Sequence, residues 1–185
     1  MPAVELRGVS PLNLSLDELR RGTPGITPAF GRCLADAAAV CLEDRGHMDP
    51  TSMRLDGALD ATAALRWEKP DAQALRCWGD DQVATEHGAY GIAALLVEQV
   101  SKLRVIERAR KGKGFDFWLG HQDDPGPLFQ NRARLEVSGV RAGSESDVNA
   151  RVRQKVKQID RSRGPLPGVV VIVEFGEPRS RVALR

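Results

Sequence analysis

The stretch ARLEVSG, Ala133 to Gly139, carries a carboxylate in what reads as a β-strand. Ala133, Leu135 and Val137 share one face by the two-residue period of a strand; Arg134, Glu136 and Ser138 share the other. A buried charge costs several kcal/mol unless it is paired or bound to a metal. Glu136 is therefore expected either on a solvated sheet face, partnered by Arg134 or a cross-strand arginine, or held in place for chemistry. GFDFWLG poses the same question. It reads as a strand with Phe115, Phe117 and Leu119 on one face and Asp116 and Trp118 on the other. Aspartate is depleted in strands, so Asp116 is either an arginine-paired core carboxylate or a functional one.

If the two strands are neighbours, Asp116 and Glu136 converge. Two carboxylates at short range repel unless a cation sits between them. Oxygen ligands of this kind suit Mg²⁺ or Mn²⁺, which also bind phosphate oxygens and activate water. Glu86 lies in line with the apolar stripe of a long helix and can add a third carboxylate; complementing the helix N-terminus explains it equally well.

These residues need a scaffold, and the chain supplies one. From Asp80, DDQVATEHGAYGIAALLVEQVSKLRVIERARKG reads as one long helix with Ala89, Ala93, Leu96, Val100 and Leu103 as its stripe. Asp80 and Asp81 suit its start, Arg108, Arg110 and Lys111 its end, and Gly112 and Gly114 its termination. The two carboxylate strands follow, with a turn at HQDDPGP between them. SESDVNARVRQKVKQID is a helix capped by Ser144 or Ser146, with Val148, Val152, Val156 and Ile159 buried. After the linker RSRGPLPG, GVVVIVEF is a strand of a sheet's interior. Before Asp80, Val4 to Arg7 reads as a short strand and AFGRCLADAAAVCLED as a helix with Phe30, Cys33, Leu34, Ala37, Ala38 and Cys41 on one stripe. MRLDG and ALRW read as a hairpin or meander.

The bulk numbers agree with one domain. The chain has 185 residues, 42% hydrophobic and 28% charged, which indicates a globular protein. A net charge of +2 does not by itself indicate nucleic acid, but Arg132 to Arg163 is rich in Arg and Lys. Cys33, Cys41 and Cys77 have no zinc or redox spacing and are expected as free thiols. No signal peptide and no membrane span is apparent, so a cytoplasmic protein is expected.

A helix with a glutamate, then GFDFWLG, then ARLEVSG, then a polar helix and an apolar strand resembles the PD-(D/E)xK nuclease superfamily, the restriction-endonuclease-like fold. The resemblance covers roughly residues 80 to 175 and implies an α/β core: a mixed central sheet flanked by helices, here with an N-terminal α+β extension over residues 1–79. It implies that Asp116 and Glu136 bind the metal, with Glu86 assisting, and that the reaction is metal-dependent hydrolysis of phosphodiesters in DNA or RNA. The family's lysine falls two residues after the second carboxylate, where this chain has Ser138. In some members the basic residue comes from the following helix, where Arg151 and Lys155 lie one turn apart. Arg153 and Lys157 on that helix, with Ser138, are candidate substrate contacts; a solvated helix face is the plainer account of the same charges. The departure at Ser138 leaves an alternative: an inactive nuclease-fold protein that serves as an interaction or accessory module for a protein partner.

Overall fold

The computed structural model describes residues 4–6, 12–121, 133–162 and 166–185. In chain order the elements are β1 (Leu12–Ser15), a 3-10 turn (Leu16–Arg21), α1 (Pro28–Asp44), β2 (Thr51–Gly57), β3 (Ala61–Arg66), α2 (Ala72–Cys77) and α3 (Asp81–Ser101). Then come β4 (Arg104–Arg108), β5 (Phe117–Gly120), β6 (Ala133–Val140), α4 (Glu145–Arg161), β7 (Gly168–Glu174) and β8 (Arg179–Leu184).

Each long helix begins at a side chain that satisfies its open amides. Thr27 accepts from Phe30 N ahead of Pro28 in α1, and Asp80 accepts from Val83 N in α3. Ser144 and Asp147 form a reciprocal capping box at α4.

The described strands form one mixed sheet in the order β1-β3-β2-β8-β7-β6-β5-β4. β4, β5 and β6 run as an antiparallel meander; α4 then crosses over to β7, which lies parallel to β6, and β8 returns antiparallel. The β2–β3 hairpin expected from MRLDG and ALRW is present, and β2 pairs in parallel with β8. The N-terminal part therefore extends the same sheet. β8, which carried no reading from sequence, is the strand that joins the two parts.

α1 and α3 cover one sheet face. Leu34, Ala38, Ile92 and Leu96 meet Phe117, Leu135, Val137 and Val171 there. Gly88 of α3 lies so close to α1 that a Cβ would fall 2.9 Å from Ala38 Cα, which fits the alanine-rich stripe. α4 covers the other face through Val148, Val156 and Ile159 on Phe115, Val170 and Ile172, with Val152 half-buried at the margin. Each large side chain so buried stabilises by about 1.5–3 kcal/mol. β7 is buried along its whole length, as its apolar run requires.

The long helix ends earlier than its sequence suggests. α3 stops at Ser101, and Lys102 takes a left-handed conformation with φ 61°. Its N–H bonds to Glu98 O, which closes the last turn. The β-branched pair Val105 and Ile106 then belongs to β4. Arg108 ends that strand rather than a helix, and Arg110 and Lys111 lie beyond it; Gly112 and Gly114 belong to the following turn. Residues 4–6 form no strand, and Arg7 and most of HQDDPGP lie outside the described residues. Among the described residues no helix is long and apolar enough to cross a membrane.

Candidate active site

Asp116 stands just before β5 rather than within it. The register pairs Phe117 with Leu135. Asp116 still holds both neighbours by its backbone: its N–H donates to Leu135 O at 2.9 Å and its carbonyl accepts from Ala109 N at 2.8 Å. On the N-terminal side of Asp116 the chain lies outside the sheet. The Val137 N–H then donates to Asp116 Oδ2 at 2.8 Å, so the carboxylate stands where a strand carbonyl would. The expected alternation breaks here. Phe115 does not share a face with Phe117; it packs against Trp118 (ring centroids 4.6 Å apart) and the α4 cluster.

The other Asp116 oxygen faces α3. The Tyr90 hydroxyl lies 3.2 Å from Asp116 Oδ1 and 2.8 Å from Glu86 Oε1, so one phenol proton serves two carboxylates. Burial, then the charge of Asp116, pushes the phenol's ionisation up, and Tyr90 stays a neutral donor. Its ring meets Phe117 edge-on, and the Arg108 guanidinium lies 5.6 Å from its centre.

Glu136 is 1% exposed. It is not on a solvated face, and Arg134 is not its partner. Arg134 turns to the end of α4 and donates to the carbonyls of Ile159, Ser162 and Leu166. Glu136 Oε1 instead accepts from Lys155 Nζ at 2.5 Å and from Gln158 Nε2 at 2.9 Å. Oε2 is buried and has no hydrogen-bond partner among the described residues. Burial first, and then the Asp116 charge beside it, push the Glu136 carboxyl up to about 7, against the pull of Lys155. Asp116 is also raised, again mainly by burial.

The structure thus brings together Asp116, Glu136 and Lys155 from separate elements, and ties Glu86 to them through Tyr90. Glu86 itself is exposed. Arg151, one turn before Lys155, is exposed and makes no hydrogen bond or ion pair with the site among the described residues. Arg153 and Lys157 lie on the exposed side of α4, and Ser138 is half-buried on β6 opposite Ile172. Two members of the site carried no reading from sequence, Tyr90 and Gln158. Both were within reach of helical spacing: Tyr90 stands four residues after Glu86, and Gln158 three after Lys155.

Asp116, Glu136 and Glu86 offer carboxylate oxygens, the ligand type that hard divalent cations take. Glu136 Oε2 is a buried oxygen with no hydrogen-bond donor among the described residues, and the Asp116 charge beside it adds to the burial that raises its carboxyl. Among the described residues no three His, Cys, Asp or Glu side chains gather as one metal-holding group, so the fit rests on the Asp116–Glu136 pair with Glu86 one hydroxyl away.

No family model, no curated protein and no solved structure matches this chain.

Proposed function

We propose that the chain is a metal-dependent phosphodiesterase acting on nucleic acid, a PD-(D/E)xK-type nuclease whose lysine comes from α4 instead of from position 138. The observation that carries this reading is Lys155. Its ammonium reaches the buried Glu136 from the next helix, beside Asp116, and so supplies the cation that Ser138 lacks. The meander β4–β5–β6 followed by α4 and the parallel β7 is in keeping with the element order of the resemblance.

Asp116 and Glu136 would hold Mg²⁺ or Mn²⁺, with Glu86 available on the exposed side. The metal, when bound, supplies Lewis acidity and lowers the pKa of a water. The remaining work belongs to the chain's own groups. Gln158 and Lys155 hold Glu136 Oε1 in place, with the Asp116 carboxylate beside the Glu136 carboxyl. Val137 N and Tyr90 fix the Asp116 carboxylate from two sides. The Lys155 ammonium has three donors, one on Glu136 and a second on Gln158 Oε1 at 3.4 Å. A donor is left to steady the negative charge that builds on a phosphate oxygen as water attacks. The free thiols Cys33, Cys41 and Cys77 suit a reducing, cytoplasmic setting.

A second reading has an observation of its own. Glu136 is already paired inside the protein with Lys155, as it would be in an inactive interaction module that keeps the fold. Calorimetric titration with Mn²⁺ separates the two. The nuclease reading expects saturable binding by the wild type that Asp116→Ala and Glu136→Ala each abolish. Absence of binding by the wild type favours the interaction module and removes the nuclease.

A further inference from the structure

An open hollow of about 480 Å³ is walled by the turn at Lys113 on one side and by the last turns of α4, with Lys157 and Arg161, on the other. Gln158 belongs both here and to the carboxylate site: it lines this cavity and donates to Glu136. The turn is built to approach the helix. Gly112 and Gly114 have φ of 89° and 83°, which side chains rarely adopt, and a Cβ on Gly114 would lie 3.1 Å from Ser162 Cβ. That approach sets Lys113 against the end of α4. Lys113, Lys157 and Arg161 are all exposed, and none of their side chains has a hydrogen-bonding or ionic partner among the described residues.

Three unpaired cations converging on one cavity ask for an anion. The carbonyl end of a helix ordinarily repels one, but here that end is already neutralised. The buried Arg134 donates to Ile159 O at 3.1 Å, to Ser162 O at 2.6 Å and to Leu166 O at 2.6 Å. Gln154 adds a neutral polar group to the wall.

We propose that this cavity binds a backbone phosphodiester of the nucleic-acid strand, next to the phosphodiester positioned at Asp116 and Glu136. The proposal rests on the nuclease reading for its substrate class and adds to it a second point of contact, with Lys113, Lys157 and Arg161 as its cations. Through Gln158 the two points are one side chain apart.

The test is fluorescence anisotropy of a short and a long labelled single strand, without divalent metal, across a range of salt. The proteins are the wild type, Lys113→Gln/Lys157→Gln/Arg161→Gln, and a control carrying Arg32→Gln/Arg45→Gln/Lys69→Gln on the N-terminal part. Loss of one single-strand phosphate contact lowers the slope of log affinity against log salt by about 0.7. The cavity variant is expected to show that fall and to lose roughly tenfold affinity for the long strand. The control is expected to show neither, and the advantage of the long strand over the short one should shrink only in the cavity variant. A cavity variant that matches the control overturns the proposal. So does a variant that loses binding of inorganic phosphate but keeps the long strand, which would assign the cavity to free phosphate. Cleavage with Mn²⁺ is scored separately. A wild type that binds through these cations but never cleaves overturns the nuclease reading alone; cleavage with an unchanged salt slope in the variant overturns the cavity alone.

Discussion

The Lys155 ammonium lies 2.5 Å from Glu136 Oε1, with the lysine side chain 18% and the glutamate side chain 1% exposed. Removing one partner of a buried pair strands the other, at a cost of about 3–5 kcal/mol. Lys155→Ala should therefore lower stability in urea unfolding by up to that much well above pH 7, where Glu136 is ionised, and by less below pH 7, where the carboxyl takes a proton instead. Adding Glu136→Gln should recover most of the loss, because no buried charge is then left unpaired. A double variant that loses the sum of the two single effects would show that the two groups are not coupled.

Acidity gives a second check. Glu136 is pushed up to about 7 in the folded protein, above its ordinary carboxylate value of 4.5. Between those values the folded state binds more protons than the unfolded state, so the Glu136 contribution makes stability fall as pH rises from about 4.5 to 7. A divalent cation that holds the ionised pair should offset that fall. Thermal melts of Glu136→Gln should have a flatter pH profile over this window than those of the wild type. Mn²⁺ should raise the wild-type midpoint more at pH 8 than at pH 5. An equal Mn²⁺ shift at both values would contradict the account of the pair.

The apolar seam of α4 is the third. Ile159 and Val148 are fully buried, whereas Val152 is half-buried at the margin of the cluster. Ile159→Ala should cost about 2–5 kcal/mol. In a charge series, Val148→Asp should destabilise more than Val152→Asp. Equal effects would mean that α4 is rotated from the face described.

Tyr90 ties Glu86 to Asp116 by one hydroxyl. Tyr90→Phe keeps the ring against Phe117 and removes only that tie, so its melt should change by about 0.5–1.5 kcal/mol. Its affinity for Mn²⁺ by calorimetry should fall more visibly than its stability. Wild-type affinity in Tyr90→Phe would show that Glu86 takes no part.

Much of this was legible in the sequence, for identifiable reasons. The acidic start of α3 at Asp80 and Asp81, the α4 cap, which falls on Ser144 rather than Ser146, and the unbroken apolar run of β7 are local signals that matched their elements; the α4 stripe matched at Val148, Val156 and Ile159 but not at Val152, which is half-buried. The end of α3 was not legible. Leu103 continues the helical stripe and the charges up to Lys111 resemble a helix end, while the decisive event is the left-handed Lys102, a residue with no turn signature. The site divides in the same way. Lys155 was in reach because helical spacing places it one turn from Arg151; which of the two points inward is set by packing, and it is Lys155. The face of Asp116 could not be read, because strand alternation holds only within a strand and β5 starts one residue later. The destination of Arg134 is a contact between distant elements and left no local trace.

The most direct measurement of the central claim is Mn²⁺-dependent cleavage of labelled DNA and RNA by the wild type, Glu136→Gln, Lys155→Met and Lys155→Met/Ser138→Lys. Removing a group that stabilises transition-state charge typically lowers the rate about 10²–10³-fold. The account predicts that the wild type cleaves only with divalent metal, that Glu136→Gln is inert, and that Lys155→Met loses that factor while still binding Mn²⁺. Ser138→Lys, on the same strand two residues from Glu136, should restore part of the activity lost in Lys155→Met. A wild type inert on both DNA and RNA with Mg²⁺ and with Mn²⁺, or a Lys155→Met variant that cleaves at the wild-type rate, would contradict it.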